Sequence, residues 1–105
     1  MDRISEAFVA VAELGFALGL RDIAKLDGCW EYQIDERWWI ALNAHDQPVA
    51  CSTGAEVEPF SIYVEFNGWP AGIFSAQGGV IAAGEAANEE AFLAALRAKR
   101  ASLNV

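Results

Sequence analysis

The chain has 105 residues, 54% of them hydrophobic and 21% charged, with a formal net charge of -8 at pH 7. A length near 100 residues with that apolar fraction lies on the globular side of the disorder boundary and fits one α+β domain spanning residues 1–105. No Lys or Arg occurs from Trp38 to Leu96, where Asp46, Glu56, Glu58, Glu65, Glu85, Glu89 and Glu90 lie; this argues against nucleic acid as a partner, because phosphate contacts need cations.

Asp2 is the expected N-cap of a first helix, and Ile4, Phe8, Val11, Gly15 and Leu18 follow at the spacing of one buried stripe. A second row, Val9, Ala12, Phe16 and Leu20, makes this helix apolar on more than half its circumference, so it should be sandwiched between the sheet and another element. The run from Ala7 to Leu20 is broken by Glu13 and is shorter than the roughly 20 residues that cross a bilayer. It also lacks the cleavage pattern of a signal peptide, so the expectation is a cytoplasmic protein without a membrane partner. Gly19 is read as the helix stop with Leu20 as its hydrophobic contact, followed by a short helical turn and loop from Arg21 to Gly28.

From Cys29 the period changes to two. Trp30, Tyr32 and Ile34 alternate with Glu31, Gln33 and Asp35, and Arg37 to Asn43 reads as the hairpin partner. Trp38 and Trp39 are adjacent and must point to opposite faces. Ala44 to Pro48 reads as a turn and Val49 to Ser52 as a short strand. Phe60 to Phe66 is the next strand, closed by Asn67-Gly68, a strong hairpin signal because both residues tolerate positive φ. A two-residue loop sets Phe66 opposite Trp69, Val64 opposite Ala71, Tyr63 opposite Gly72 and Ile62 opposite Ile73. Gln77-Gly78-Gly79 is a further turn, Val80 to Ala83 a last strand, and Asn88 the N-cap of a final helix with Phe92, Ala95, Leu96 and Leu103 on its buried face. The fold class is therefore an antiparallel sheet of about five strands in hairpins, with an N-terminal and a C-terminal helix on one face.

The chemistry-bearing residues are few. Cys29 and Cys51 fit neither a C-x-x-C motif nor a zinc set and read as reduced, buried thiols. His45 is the single histidine, and Asp46 beside it is poorly placed to orient it. Glu56 and Glu58 alternate onto one side of an extended segment, and the glycines from Gly68 to Gly79 match no phosphate loop. No catalytic residue, cofactor or metal is expected. The open face of the sheet, by contrast, should carry one of Trp38 and Trp39 together with Tyr63, Glu65 and Trp69, an acidic and aromatic surface.

The opening segment, with a helix ending in Leu18-Gly19-Leu20, then Leu26-Asp27-Gly28-Cys29 and a strand ending Ile34-Asp35, resembles the small acidic chaperones of type III secretion. The resemblance covers under half of the chain. Those chaperones interrupt their strands with a middle helix that makes the dimer, whereas the sequence from Asn67 to Gly84 reads as continuous hairpins.

The leading expectation is a non-enzymatic protein-binding module, an inhibitor, immunity or accessory factor of a bacterium or mobile element. Its partner would be a protein of basic character, or a second copy that uses the aromatic face as a homodimer contact. A small-ligand carrier with a pocket lined by Phe16, Trp30, Phe60 and Phe74 is the alternative, beside a secretion-chaperone-like role. An enzyme using His45 is a third reading.

Overall fold

The computed structural model describes residues 6–75, 80–83 and 89–103. Within them lie two α-helices, α1 (Glu6–Ala17) and α2 (Glu89–Ser102), and a 3₁₀ turn at Ile23–Lys25. The strands are β1 (Trp30–Gln33), β2 (Trp38–Asn43), β3 (Val49–Ala50), β4 (Glu56–Val57), β5 (Ser61–Phe66), β6 (Trp69–Ser75) and β7 (Val80–Ala83). The α+β architecture is the expected one: β1-β2-β5-β6-β7 form a five-stranded antiparallel sheet in that order, with both helices on one face. The caps at Asp2 and Asn88, the stripe residue Ile4 and the turn at Gln77-Gly78-Gly79 lie outside the described residues.

The end of α1 follows from its sequence. Gly19 has φ +95°, the Leu20 amide donates to the Gly15 carbonyl at 2.9 Å, and the Gly19 amide to the Phe16 carbonyl at 3.0 Å. This is the paired bonding of a Schellman cap, and Leu20 folds back onto Gly15, where an added Cβ would lie 3.2 Å from the Leu20 side chain. Trp30 of β1 packs on the same glycine, so the missing side chain lets helix and sheet approach closely.

The helix-side core is built by alternation. Ile40, Leu42, Ile62 and Val64 from the two central strands meet Ala7, Val11 and Leu14 of α1 and Phe92, Leu93 and Leu96 of α2, and all are buried. Trp38 joins them, with its ring 4.6 Å from Phe66 and 5.5 Å from Phe92. Burial of a Trp or Phe of this kind is worth about 2 kcal/mol or more. Leu103, expected on the buried face of α2, is 39% exposed.

Three local expectations change. The Asn67-Gly68 turn has both φ values positive and pairs Phe66 with Trp69, yet Val64 then faces Gly72, Tyr63 faces Ile73 and Ile62 faces Phe74. Ala71 is the extra residue of a bulge; Pro70 beside it has no N–H to continue the ladder, and one inserted residue restores pairing further on. Phe60 does not begin a strand but sits at φ +49° on the surface, its amide donating to the His45 carbonyl. Finally, β3 does not extend the main sheet. It pairs with β4 as a separate hairpin inserted between β2 and β5, which lies over the face opposite the helices.

Candidate functional site

The face away from the helices is not bare. Ala41 of β2 and Tyr63 of β5 form a second small core with Cys51 and Val57 of the β3–β4 hairpin, flanked by Cys29, Trp39, Ala55 and Ile73. One buried amide organises this cover. The Asn43 side chain donates to the carbonyls of Gln47 at 2.8 Å, Val57 at 3.0 Å and Glu58 at 3.1 Å, and its Oδ1 accepts the His45 amide at 2.8 Å. Asn43 is fully buried, so these bonds replace water for four backbone groups at once. Its position at the end of the apolar run Trp38 to Leu42, just before a turn, is the sequence signal for this role. The far end of the hairpin is held by Glu31 of β1, whose carboxylate accepts the Ser52 amide at 2.9 Å and the Ser52 hydroxyl.

The five residues expected on an aromatic binding face separate. Trp38 is 6% exposed and turned into the helix-side core, so it takes no part in the outer surface. Trp39 and Tyr63 are neighbours on the outer face with rings 6.1 Å apart in an edge arrangement, and Glu65 is the cross-strand partner of Trp39. Burial, followed by the hydrogen bond and the charge of Glu65, pushes the Tyr63 hydroxyl up to about 12. Trp69 is 74% exposed, and its cross-strand row is Phe66 and Trp38, the row of the helix side. It therefore stands at the hairpin tip, on the other side of the sheet from Trp39.

The two turns at this end of the sheet are tied together. The Asn67 amide donates to the Arg37 carbonyl at 2.8 Å, and Asp35 Oδ1 accepts the amides of Arg37 and Trp38 at 2.8 and 2.9 Å. Trp69 is thus presented on a hairpin whose turn is fixed to the Asp35–Arg37 turn.

The residues considered for catalysis have structural tasks. His45 Nε2 lies 3.1 Å from the Gly28 carbonyl, an acceptor only, which assigns the ring proton to Nε2. Its backbone is held at both ends by Asn43 and Phe60. Burial, then the nearby Cys51 and Glu31, raises the Cys29 thiol, which disfavours the nucleophilic thiolate. Both cysteines are free, with Cys51 buried. Among the described residues no three His, Cys, Asp or Glu side chains converge as a metal site, and no helix is long and apolar enough to cross a membrane. Of the residues proposed to line a pocket between sheet and helices, Phe16 and Phe60 are 62% and 46% exposed and lie on the surface. A different concavity opens on the outside of the helix layer, a groove of about 430 Å³ lined by Phe8, Val9, Ala12, Glu13, Phe16 and Arg100.

No family model, no curated protein and no solved structure matches the chain.

Proposed function

We propose that this chain is a non-enzymatic protein-binding module that contacts a basic partner through the hairpin end of its sheet, with Trp69 as the anchor. The carrying observation is the 74% exposure of Trp69 on a frame fixed by the Asn67 to Arg37 bond. A large indole left in water loses the transfer free energy of its ring, and rigid aromatic anchors regain it in the centre of an interface. Asp35 and Glu36, in the turn tied to this hairpin, supply carboxylates at the same end of the sheet, while Glu65 and the half-buried Trp39 lie on the opposite face. Such a rim sets the sign of the partner's charge and speeds encounter with it. An inhibitor, immunity or accessory factor of a bacterium or mobile element acts in this way, by occlusion or escort, and needs no reactive group of its own.

The test compares the parent chain with Trp69→Ala and with Trp39→Ala/Trp69→Ala as bait in extract of the source cell, followed by titration of whatever basic protein is recovered. Truncating a central anchor costs about 2 kcal/mol, so Trp69→Ala should bind about thirtyfold more weakly, and added salt should weaken the parent further. A double variant that keeps its circular dichroism and retains the same partners at the parent's affinity rejects this reading.

A further inference from the structure

We propose that Cys29 and Cys51 are a reversible redox pair whose disulfide clamps the β3–β4 hairpin onto the start of the main sheet. The inference is independent of the Trp69 surface: it concerns the cover of the outer sheet face, not the β5–β6 turn.

The two cysteines are distant in sequence, and the fold brings them into one cluster. Cys51 is a buried member of the small outer core with Ala41, Val57 and Tyr63, and Cys29 packs against that same core. The segments that carry them run side by side. A Cβ added at Gly28 would lie 3.9 Å from the Val49 side chain, the Cys29 thiol lies 3.8 Å from the Val49 carbonyl, and the Glu31 carboxylate accepts the Ser52 amide at 2.9 Å. Cys51 therefore stands between Val49 and Ser52, two points at which its segment already touches the segment of Cys29. It also opens the turn of the hairpin, since its amide donates to the Ala55 carbonyl and its carbonyl accepts the Gly54 amide, both at 2.9 Å. Both thiols are free, and they are close enough to sense one another: burial, then the charge of Cys51, raises the Cys29 thiol.

Their access to solvent differs, and this sets the order of events. Cys29 is half-buried and Cys51 is buried, so Cys29 meets the oxidant, a low-molecular-weight disulfide such as oxidised glutathione. The Cys29 thiol gives its proton to solvent and its sulfur attacks that disulfide: one S–S bond forms to Cys29, the oxidant's S–S bond breaks, and one thiolate leaves. The Cys51 sulfur, after losing its own proton, attacks the Cys29 sulfur of the mixed disulfide and expels the second thiolate. The chain thereby loses two hydrogens and two electrons, and the oxidant departs as two thiols. The raised Cys29 thiol keeps the first step slow at neutral pH, which suits a lock set by sustained oxidation and not a turnover catalyst. The new bond ties the hairpin turn to the residue that precedes β1, where the reduced chain has only the Glu31 contact with exposed Ser52, so the hairpin can no longer lift away from β1.

The test incubates the reduced full chain, folded, with oxidised glutathione at mildly alkaline pH and follows thiol content and intact mass. The parent should lose both thiols together, become lighter by two hydrogens without retaining glutathione, and yield on digestion a peptide pair linked through Cys29 and Cys51. Amide exchange over residues 49–57 should slow at least about tenfold in the oxidised chain, return to its former rate on reduction, and leave the helix-side core unchanged. Cys51→Ser should stop at the glutathione mixed disulfide on Cys29, and Cys29→Ser should be modified at least about tenfold more slowly, because its remaining thiol is buried. A parent that keeps both thiols, carries glutathione on both cysteines or links two chains overturns the proposal. So does an oxidised chain whose hairpin exchanges as fast as that of the reduced one.

Discussion

The two faces of the sheet are covered by different physics. On the helix side, thirteen buried residues among those described interlock in one apolar core. On the other side, Cys51 and Val57 of the β3–β4 hairpin pack on Ala41 and Tyr63 of the sheet, and the hairpin's position is fixed by the Asn43 amide and the Glu31 carboxylate. Non-directional burial gives cohesion in proportion to area, whereas a buried hydrogen-bonding group gives little net stability but makes any other arrangement costly. The helix side should therefore govern global stability, and the hairpin side should be a local unit that opens by itself.

The largest effect that would break this distinction comes from Phe92→Ala. Loss of a fully buried ring next to Trp38 should cost about 3 to 5 kcal/mol in urea unfolding and accelerate amide exchange throughout the sheet. Equal loss confined to α2 would contradict a single helix-side core. Next, Asn43→Leu removes the donor from three carbonyls and the acceptor from one amide, at a cost of about 2 to 4 kcal/mol. Here exchange should accelerate mainly over residues 45–60, and uniform acceleration would mean that the hairpin is part of the global unit.

Tyr63 sharpens the comparison through pH. Its hydroxyl holds its proton up to about 12 in the folded chain, against a value of 10.0 in the unfolded chain. The phenol's contribution is therefore complete below pH 10 and is lost as the pH rises from 10 towards 12, on the order of 2 kcal/mol. Tyr63→Phe should be slightly less stable than the parent at pH 7 and should lose less stability over that alkaline window, read from urea midpoints. A variant with the parent's alkaline slope would place the titration elsewhere. The smallest effect is expected of Glu31→Ala, about 1 kcal/mol, because Ser52 is exposed and water replaces the carboxylate. Its signature is faster exchange of the Ser52 amide with an unchanged helix-side core.

Much of this was legible before any coordinates. The Schellman end at Gly19, the Asn67-Gly68 turn and the opposed faces of Trp38 and Trp39 each depend on a few consecutive residues, and such local chemistry acts wherever the segment stands. The candidate surface was legible in part. Alternation put Tyr63 and Glu65 on one face and Trp38 and Trp39 on opposite faces, but only the strand order could tell that Trp39 joins Tyr63 and Glu65, that Trp38 faces the helices and that Trp69 shares its row. The role of Asn43 was missed because its four partners lie up to 15 residues ahead, and a polar residue at a strand end looks the same whether it meets water or carbonyls.

What the sequence determined by itself is the two helices, the strands of the main sheet, their periods and the acidic stretch without cations, since period and charge are properties of neighbours along the chain; the short strand Glu56–Val57 was not among them. Tertiary structure alone decided the bulge at Ala71, the departure of β3 and β4 from the main sheet, and the exposure of Val9 and Phe16 on the outer side of α1. Each of those depends on which surfaces meet, and residues distant in sequence compete for the same burial and the same hydrogen bonds.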